Sequence, residues 1–192
     1  ISRQDSQKGN DIQITIDLRI QQYALNLLKE HKAGSAVLID INNGNILCMA
    51  STPSYNPNKI IQKPNKEYWD SILENELSPL TYRCIQGLYA PGSTFKMVVA
   101  IAGLVHGIID TNTKHFCSGK IGLGDRLYHC WKNNGHGSMN VSDAIKESCD
   151  VFFYEISKKI GIDKISKVAE DFGLGKIYDV PLINQKKGII PS

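Results

Sequence analysis

The sequence predicts an α+β fold, with helices segregated from strands. Two observations carry this. Near the N-terminus two short apolar runs, 35–41 and 46–51, flank the turn Asn42-Asn43-Gly44-Asn45, which marks a β-hairpin because Asn and Gly accept positive φ. From about residue 66 to 175 the pattern is mostly helical, broken by a Gly-rich stretch at 117–139. Hydrophobic residues are 42% and charged residues 21% of the 192, enough apolar side chain for a core.

Taken in order, residues 1–11 are polar and are expected to form a flexible lead-in. Ile12, Ile14 and Ile16 alternate with Gln13 and Thr15, the pattern of a half-buried strand. Asp17 stands where a helix N-cap belongs, a helix is predicted over 18–31, and Gly34 is its expected stop. The hairpin strands follow at 35–41 and 46–51, then a loop rich in Pro and Asn at 52–66. The organisation expected is a single domain over 12–192, with a strand–helix–hairpin part at 12–52 and a mainly helical part at 53–192.

Charge excludes one class of function. Twenty-two basic and 19 acidic residues leave a net charge of +3, too even for a nucleic-acid binder. No apolar run approaches the roughly 18 residues of a membrane span, and no secretory leader stands at Ile1, so any membrane anchor is expected outside the chain.

Tyr89-Ala90-Pro91-Gly92-Ser93-Thr94-Phe95-Lys96 is the segment that carries chemistry. Pro91 and Gly92 force a turn, and the apolar run after Ser93 starts a helix, so Ser93 is expected at a helix N-terminus. Lys96, three residues on, shares its face. A serine hydroxyl needs a nearby base, a lysine can be that base when burial lowers its pKa, and free N–H groups at a helix start favour developing negative charge. Ser93 is the one serine with lysine three residues later. The spacing by itself favours a capping serine beside a solvated lysine.

Pro91-Gly92-Ser93-Thr94-Phe95-Lys96 resembles the first active-site motif of penicillin-binding proteins, whose signature includes S-x-x-K. The likeness spans most of the chain. Thr15-Ile16-Asp17 with Gln21 or Gln22, Val37-Leu38-Ile39-Asp40 with Gly44, and Ser51-Thr52-Pro53-Ser54-Tyr55-Asn56-Pro57 are similar to the opening of a class B transpeptidase domain. Cys130-Trp131-Lys132, Gly135-His136-Gly137 and Ser148-Cys149-Asp150 resemble the elongation-type members more than the division-type ones. The resemblance implies the penicillin-binding-protein transpeptidase fold, similar to serine β-lactamases. It implies peptidoglycan D,D-transpeptidation at the periplasmic face of a bacterial inner membrane. Stem peptides would be substrates, β-lactams acylating inhibitors and an elongation glycosyltransferase a partner, with no organic cofactor. It assigns Ser93 as nucleophile, Lys96 as base, Ser148 as proton relay, and Asp150 to the place where the family keeps Asn. A serine β-lactamase and a non-enzymatic β-lactam sensor share S-x-x-K and remain alternatives.

The family's third motif, Lys-Thr-Gly or Lys-Ser-Gly, does not occur in the 192 residues, and Lys32-Ala33-Gly34 lacks its hydroxyl. The expectation is an incomplete domain without its C-terminal sheet strands. It would acylate β-lactams slowly or not at all, since one lost oxyanion donor costs about 100- to 1,000-fold. Sheet surface normally covered would then be exposed or capped by another chain.

Cys117, Cys130, His136 and Cys149 form C-x12-C-x5-H-x12-C, a ligand set that suits structural zinc. The same elongation-type relatives resemble this chain in carrying a zinc site beside the active site. A Cys117–Cys130 disulfide, inert core cysteines, or His129 in place of His136, are the competing readings. Cys48 and Cys84 are read as core, and Trp131 as packing, with a wall of the site as the alternative.

Overall fold

The computed structural model describes residues 8–61 and 66–191. The predicted lead-in lies mostly outside these, and residues 8–11 are exposed coil. The chain divides into two compact units, Ile1–Gly87 with Leu182–Gln185, and Leu88–Pro181 with Lys186–Ser192.

In the first unit, helix α1 (Leu18–Leu28) starts as predicted at Asp17, whose carboxylate accepts the N–H groups of Arg19 at 2.9 Å and Ile20 at 3.3 Å. It ends before the predicted Gly34, which instead opens strand β1 (Gly34–Ile39). Strand β1 pairs antiparallel with β2 (Ile46–Thr52), Ala36 opposite Ala50 and Leu38 opposite Cys48. The predicted strand at 12–16 does not form. Ile12 and Ile14 are exposed, and this coil meets β2 through the Thr15 hydroxyl, which donates to Ile46 O at 2.7 Å, and the Asp17 N–H, which donates to Leu47 O at 2.9 Å. Gln21 then clasps Met49, accepting its N–H at 2.8 Å and donating to its carbonyl at 2.9 Å.

The predicted loop at 52–66 contains a short helix, α2 (Pro57–Ile61), and is followed by α3 (Lys66–Leu73) and α4 (Arg83–Gln86). Arg83 is buried with its guanidinium donating to turn carbonyls, those of Leu77 and Thr81 among them, which replace the hydrogen bonds of water. Cys48 is a core residue as expected; Cys84 is half-buried, its thiol donating to Ala50 O at 3.0 Å.

The second unit holds the larger core. A 3₁₀ turn at Gly92–Phe95 runs straight into α5 (Lys96–Val105). Helices α6 (Val141–Lys146), α7 (Asp150–Ile160) and α8 (Ile162–Asp171) follow. Helix α5 is apolar almost all round because it packs against both α7 and α8. Val99 and Ala102 of α5 meet Phe152 and Ile156 of α7 and Ile165 of α8 in one buried cluster. Phe152 is fully buried, worth about 1.5–3 kcal/mol of transfer free energy.

The stretch 117–139, predicted as a Gly-rich interruption, overlaps two small β-ribbons. Strand β3 (His115–Cys117) pairs with β6 (Gly137–Met139), and β4 (Lys120–Leu123) with β5 (Arg126–His129). Two of its glycines are forced by close approach. A Cβ on Gly119 would sit 2.1 Å from Asn133 O, and one on Gly135 2.1 Å from Cys117 O. Both have positive φ. The loops after β3 and β5 therefore touch backbone to backbone, which brings Cys117 beside Cys130 and His136.

Candidate active site

Ser93 is exposed at the second residue of the 3₁₀ turn, one residue after Gly92 at φ +56. Side chains three apart eclipse in a 3₁₀ turn, so Lys96 stands over Ser93, and the Lys96 N–H donates to Ser93 O. The expected position at a helix start thus becomes a tight turn leading into one. The Lys96 ammonium donates to Ser148 O at 2.8 Å, Ser148 Oγ at 3.0 Å and Asp150 Oδ1 at 2.6 Å. The Ser148 hydroxyl donates to Ser93 Oγ at 3.1 Å. Lys96 is therefore linked to Ser93 through Ser148. Its charge also lies 5.8 Å from the centre of the Phe153 ring.

Local structure explains why these groups converge. Ser148 has φ +51 and lies between the C-cap of α6, Glu147, and the N-cap of α7, Cys149. That left-handed residue turns the chain so that both its carbonyl and its hydroxyl face Lys96. Asp150, the first residue of α7, lies where the helix dipole favours a carboxylate. Burial pushes its pKa up, but the hydrogen bond from Lys96, the Trp131 N–H and the Lys96 charge together hold it below the ordinary value.

Cys117, Cys130, His136 and Cys149 come together with their ligand atoms all within 4.8 Å of one another. His136 Nδ1 lies 3.7 Å from Cys117 Sγ and 3.5 Å from Cys130 Sγ. Tetrahedral zinc with Zn–S near 2.3 Å and Zn–N near 2.05 Å puts sulfur and nitrogen about 3.6 Å apart, so the group fits that ion. The buried His136 Nε2 has no hydrogen-bond partner among the described residues and bears the proton when Nδ1 faces a metal. Burial, and then the neighbouring Cys117 sulfur, push the Cys149 thiol up to about 12 against the help of the Phe152 N–H. A cation held by the cluster would favour the Cys149 thiolate against that burial. The five cysteines are unpaired, and His129 is an exposed β5 residue outside the cluster.

Trp131 departs from its reading as packing. Its side chain is 62% exposed. Its backbone N–H donates to Asp150 Oδ2 and its indole N–H to Glu147 O, each at 3.0 Å. Nothing in residue spacing marks this, because one of the two contacts is made by the main chain.

A serine and a lysine joined through a second serine, at the starts of helices α5 and α7, form an arrangement whose chemistry suits serine acyl transfer. The chain belongs to the penicillin-binding protein transpeptidase domain family, whose sequence model it matches over residues 34–192. It is similar to the peptidoglycan D,D-transpeptidase MrdA of Escherichia coli strain K12, 36% identical over 188 residues that cover 97% of this chain and 30% of that protein. The MrdA protein of Salmonella typhimurium strain SL1344 is 38% identical over 187 residues, covering 96% of this chain and 30% of that one. Among solved structures, PBP2 of Pseudomonas aeruginosa in complex with WCK 5153 matches at a TM-score of 0.87 and 32% identity, over 93% of this chain and 41% of that one. PBP2 of Helicobacter pylori in complex with MreC matches at 0.87 and 34% identity, over 92% of this chain and 33% of that one. The chain thus spans about 30% of the length of the curated relatives it matches. The transpeptidase fold predicted from the motifs is confirmed by these likenesses.

Proposed function

We propose that the protein carrying this chain is a peptidoglycan D,D-transpeptidase of cell-wall elongation. The observation that carries the reading is the run Ser93 Oγ–Ser148 Oγ–Lys96 Nζ, with steps of 3.1 and 3.0 Å. Ser93 Oγ attacks the carbonyl of the penultimate D-Ala of a stem peptide. Its proton passes by way of the Ser148 hydroxyl to Lys96, which first yields a proton of its ammonium to the Asp150 carboxylate it is paired with, since a hydroxyl can accept and donate in turn. The C–N bond breaks, the terminal D-Ala leaves with a proton returned along the same path, and an amine of a neighbouring stem peptide takes the acyl group as the Ser93 ester bond breaks, the amine's proton passing by way of Lys96 and Ser148 to Ser93 Oγ. β-Lactams acylate the same oxygen. Asp150 orients Lys96.

Cys117, Cys130, His136 and Cys149 hold a structural zinc ion in this reading, and a closed four-ligand site contributes folding energy rather than chemistry. The relatives named D,D-transpeptidases support the reaction, and the Helicobacter pylori PBP2–MreC complex supports an MreC-type partner; an elongation glycosyltransferase is a further partner in this reading. The place of work is the periplasmic face of the bacterial inner membrane. Among the described residues no helix is long and apolar enough to cross a membrane.

The test is covalent labelling of the full-length protein by a fluorescent penicillin, with the adduct located by mass spectrometry. The expected adduct is on Ser93. Lys96→Ala should slow labelling by about 100- to 10,000-fold, the range for loss of a positioned base. Labelling that survives Ser93→Ala unchanged overturns the assignment.

A further inference from the structure

We infer that Trp131 is a positioning residue for the acylation site, a two-point clamp that fixes the turn carrying Ser148. The inference rests on the roles proposed for Ser93, Ser148 and Lys96. Ser148 must present its hydroxyl to Ser93 and both its oxygens to Lys96. It does so at φ +51, a conformation that a serine keeps only where its surroundings over-determine it. The constraints come from either side of it. The indole N–H of Trp131 donates to Glu147 O, the residue before Ser148. The backbone N–H of Trp131 donates to Asp150 Oδ2, two residues after it.

Each contact has a further effect. Glu147 is the C-cap of α6, and its carbonyl belongs to the last turn, where helix carbonyls lack intrahelical partners. The indole supplies one, and so holds the start of the turn. At the other end, Asp150 Oδ1 takes Lys96 and Oδ2 takes Trp131, so the carboxylate is held at both oxygens and its plane is fixed. Lys96 then has one direction in which to point. Trp131 is held in turn by the chain bond to buried Cys130 and by its ring lying edge-on to His136 at 5.3 Å between centroids. Its high exposure shows that the ring is not there to fill the core.

The experiment replaces Trp131 in the full-length protein with 3-benzothienylalanine, which keeps the bicyclic shape but has sulfur where indole has N–H. Acylation of Ser93 by a fluorescent penicillin is resolved into the dissociation constant of the first complex and the rate constant of acylation. The expected result is an acylation rate constant lower by about 3- to 10-fold, the scale of one neutral hydrogen bond. The dissociation constant and the metal content should stay at wild-type values, the melting temperature should fall by no more than about 2–4 °C, and amide exchange at residues 147–150 should quicken. Trp131→Phe, which also lacks the donor, should show the same split and serves if the isostere does not fold. Equal acylation rates in wild type and in a folded variant overturn the clamp and leave the acylation site standing. Wild-type protein that takes no label on Ser93 overturns the site reading, and the clamp with it.

Discussion

Lys96 Nζ stands 2.6 Å from Asp150 Oδ1, while the other oxygen of that carboxylate accepts the Trp131 N–H at 3.0 Å. The ion pair is mostly enclosed, with side-chain exposures of 14% for Lys96 and 23% for Asp150. The two donors use different oxygens, so an amide in place of the carboxylate has one acceptor too few. Asp150→Asn should therefore leave either Lys96 or Trp131 facing an NH₂ group, at a cost of about 1–3 kcal/mol. Thermal melting should show it, at about 2–4 °C for each kcal/mol in a domain of some 150–250 residues. An unchanged melting temperature would mean that the two contacts do not hold the site.

Cys149 is both the N-cap of α7, its sulfur accepting the Phe152 N–H at 3.5 Å, and a member of the four-residue cluster. Cys149→Ser separates these roles, because serine caps helices well and binds zinc poorly. Purified wild type should carry about one zinc per chain, and its cluster thiols should react with a thiol reagent only after chelation. The serine variant should lose the metal and melt at the temperature of chelated wild type. Metal-free wild type with reactive thiols from the outset contradicts the zinc assignment.

Gly135 marks the contact between the two ligand-bearing loops. An added Cβ meets Cys117 O at 2.1 Å and Ser118 C at 2.6 Å, at φ +74. Gly135→Ala should cost about 1–3 kcal/mol for overpacking and about 1–2 kcal/mol for the left-handed backbone. Gly124→Ala is the matched control, since Gly124 has φ +57 and nothing within 4 Å. It should lose the backbone part alone. Denaturant midpoints of the pair test this, and equal losses would mean that the loop contact adjusts freely.

Asp110 closes the turn between α5 and β3. Its carboxylate accepts the Thr113 hydroxyl at 2.7 Å and the Asn112 N–H at 2.9 Å. The Thr113 side-chain bond first, then the N–H groups of Asn112 and Thr113, hold its pKa below 3.8. A carboxyl depressed on folding stabilises above its unfolded value and loses that contribution as pH falls through the folded value. Asp110→Ala should therefore lower stability at neutral pH and flatten the fall in melting temperature below pH 3.8. Parallel acid limbs in the two proteins would remove Asp110 from the account.

The hairpin was legible because Asn42–Asn45 fixes a turn chemically and the flanking runs are apolar. The alternation at 12–16 misled, since a period of two reports side-chain faces and says nothing of whether a backbone partner exists; Ile12 and Ile14 face solvent. Strands β3 to β6 were missed because runs of three or four residues are too short to show a period. Ser93 and Lys96 were visible as a local pair. Their meeting with Ser148 and Asp150, more than 50 residues along the chain, came from family resemblance and not from spacing. The clamp of Trp131 lay beyond both, because a main-chain N–H has no letter in the sequence.

The cap of α7 also constrains how this segment can change over time. Ser148, Cys149 and Asp150 are consecutive, and each serves a different neighbour: the nucleophile, the cysteine–histidine cluster and the lysine. One residue added or removed at the start of α7 swings the rest of the helix by about 100° around its axis. All three partnerships would break in that single event.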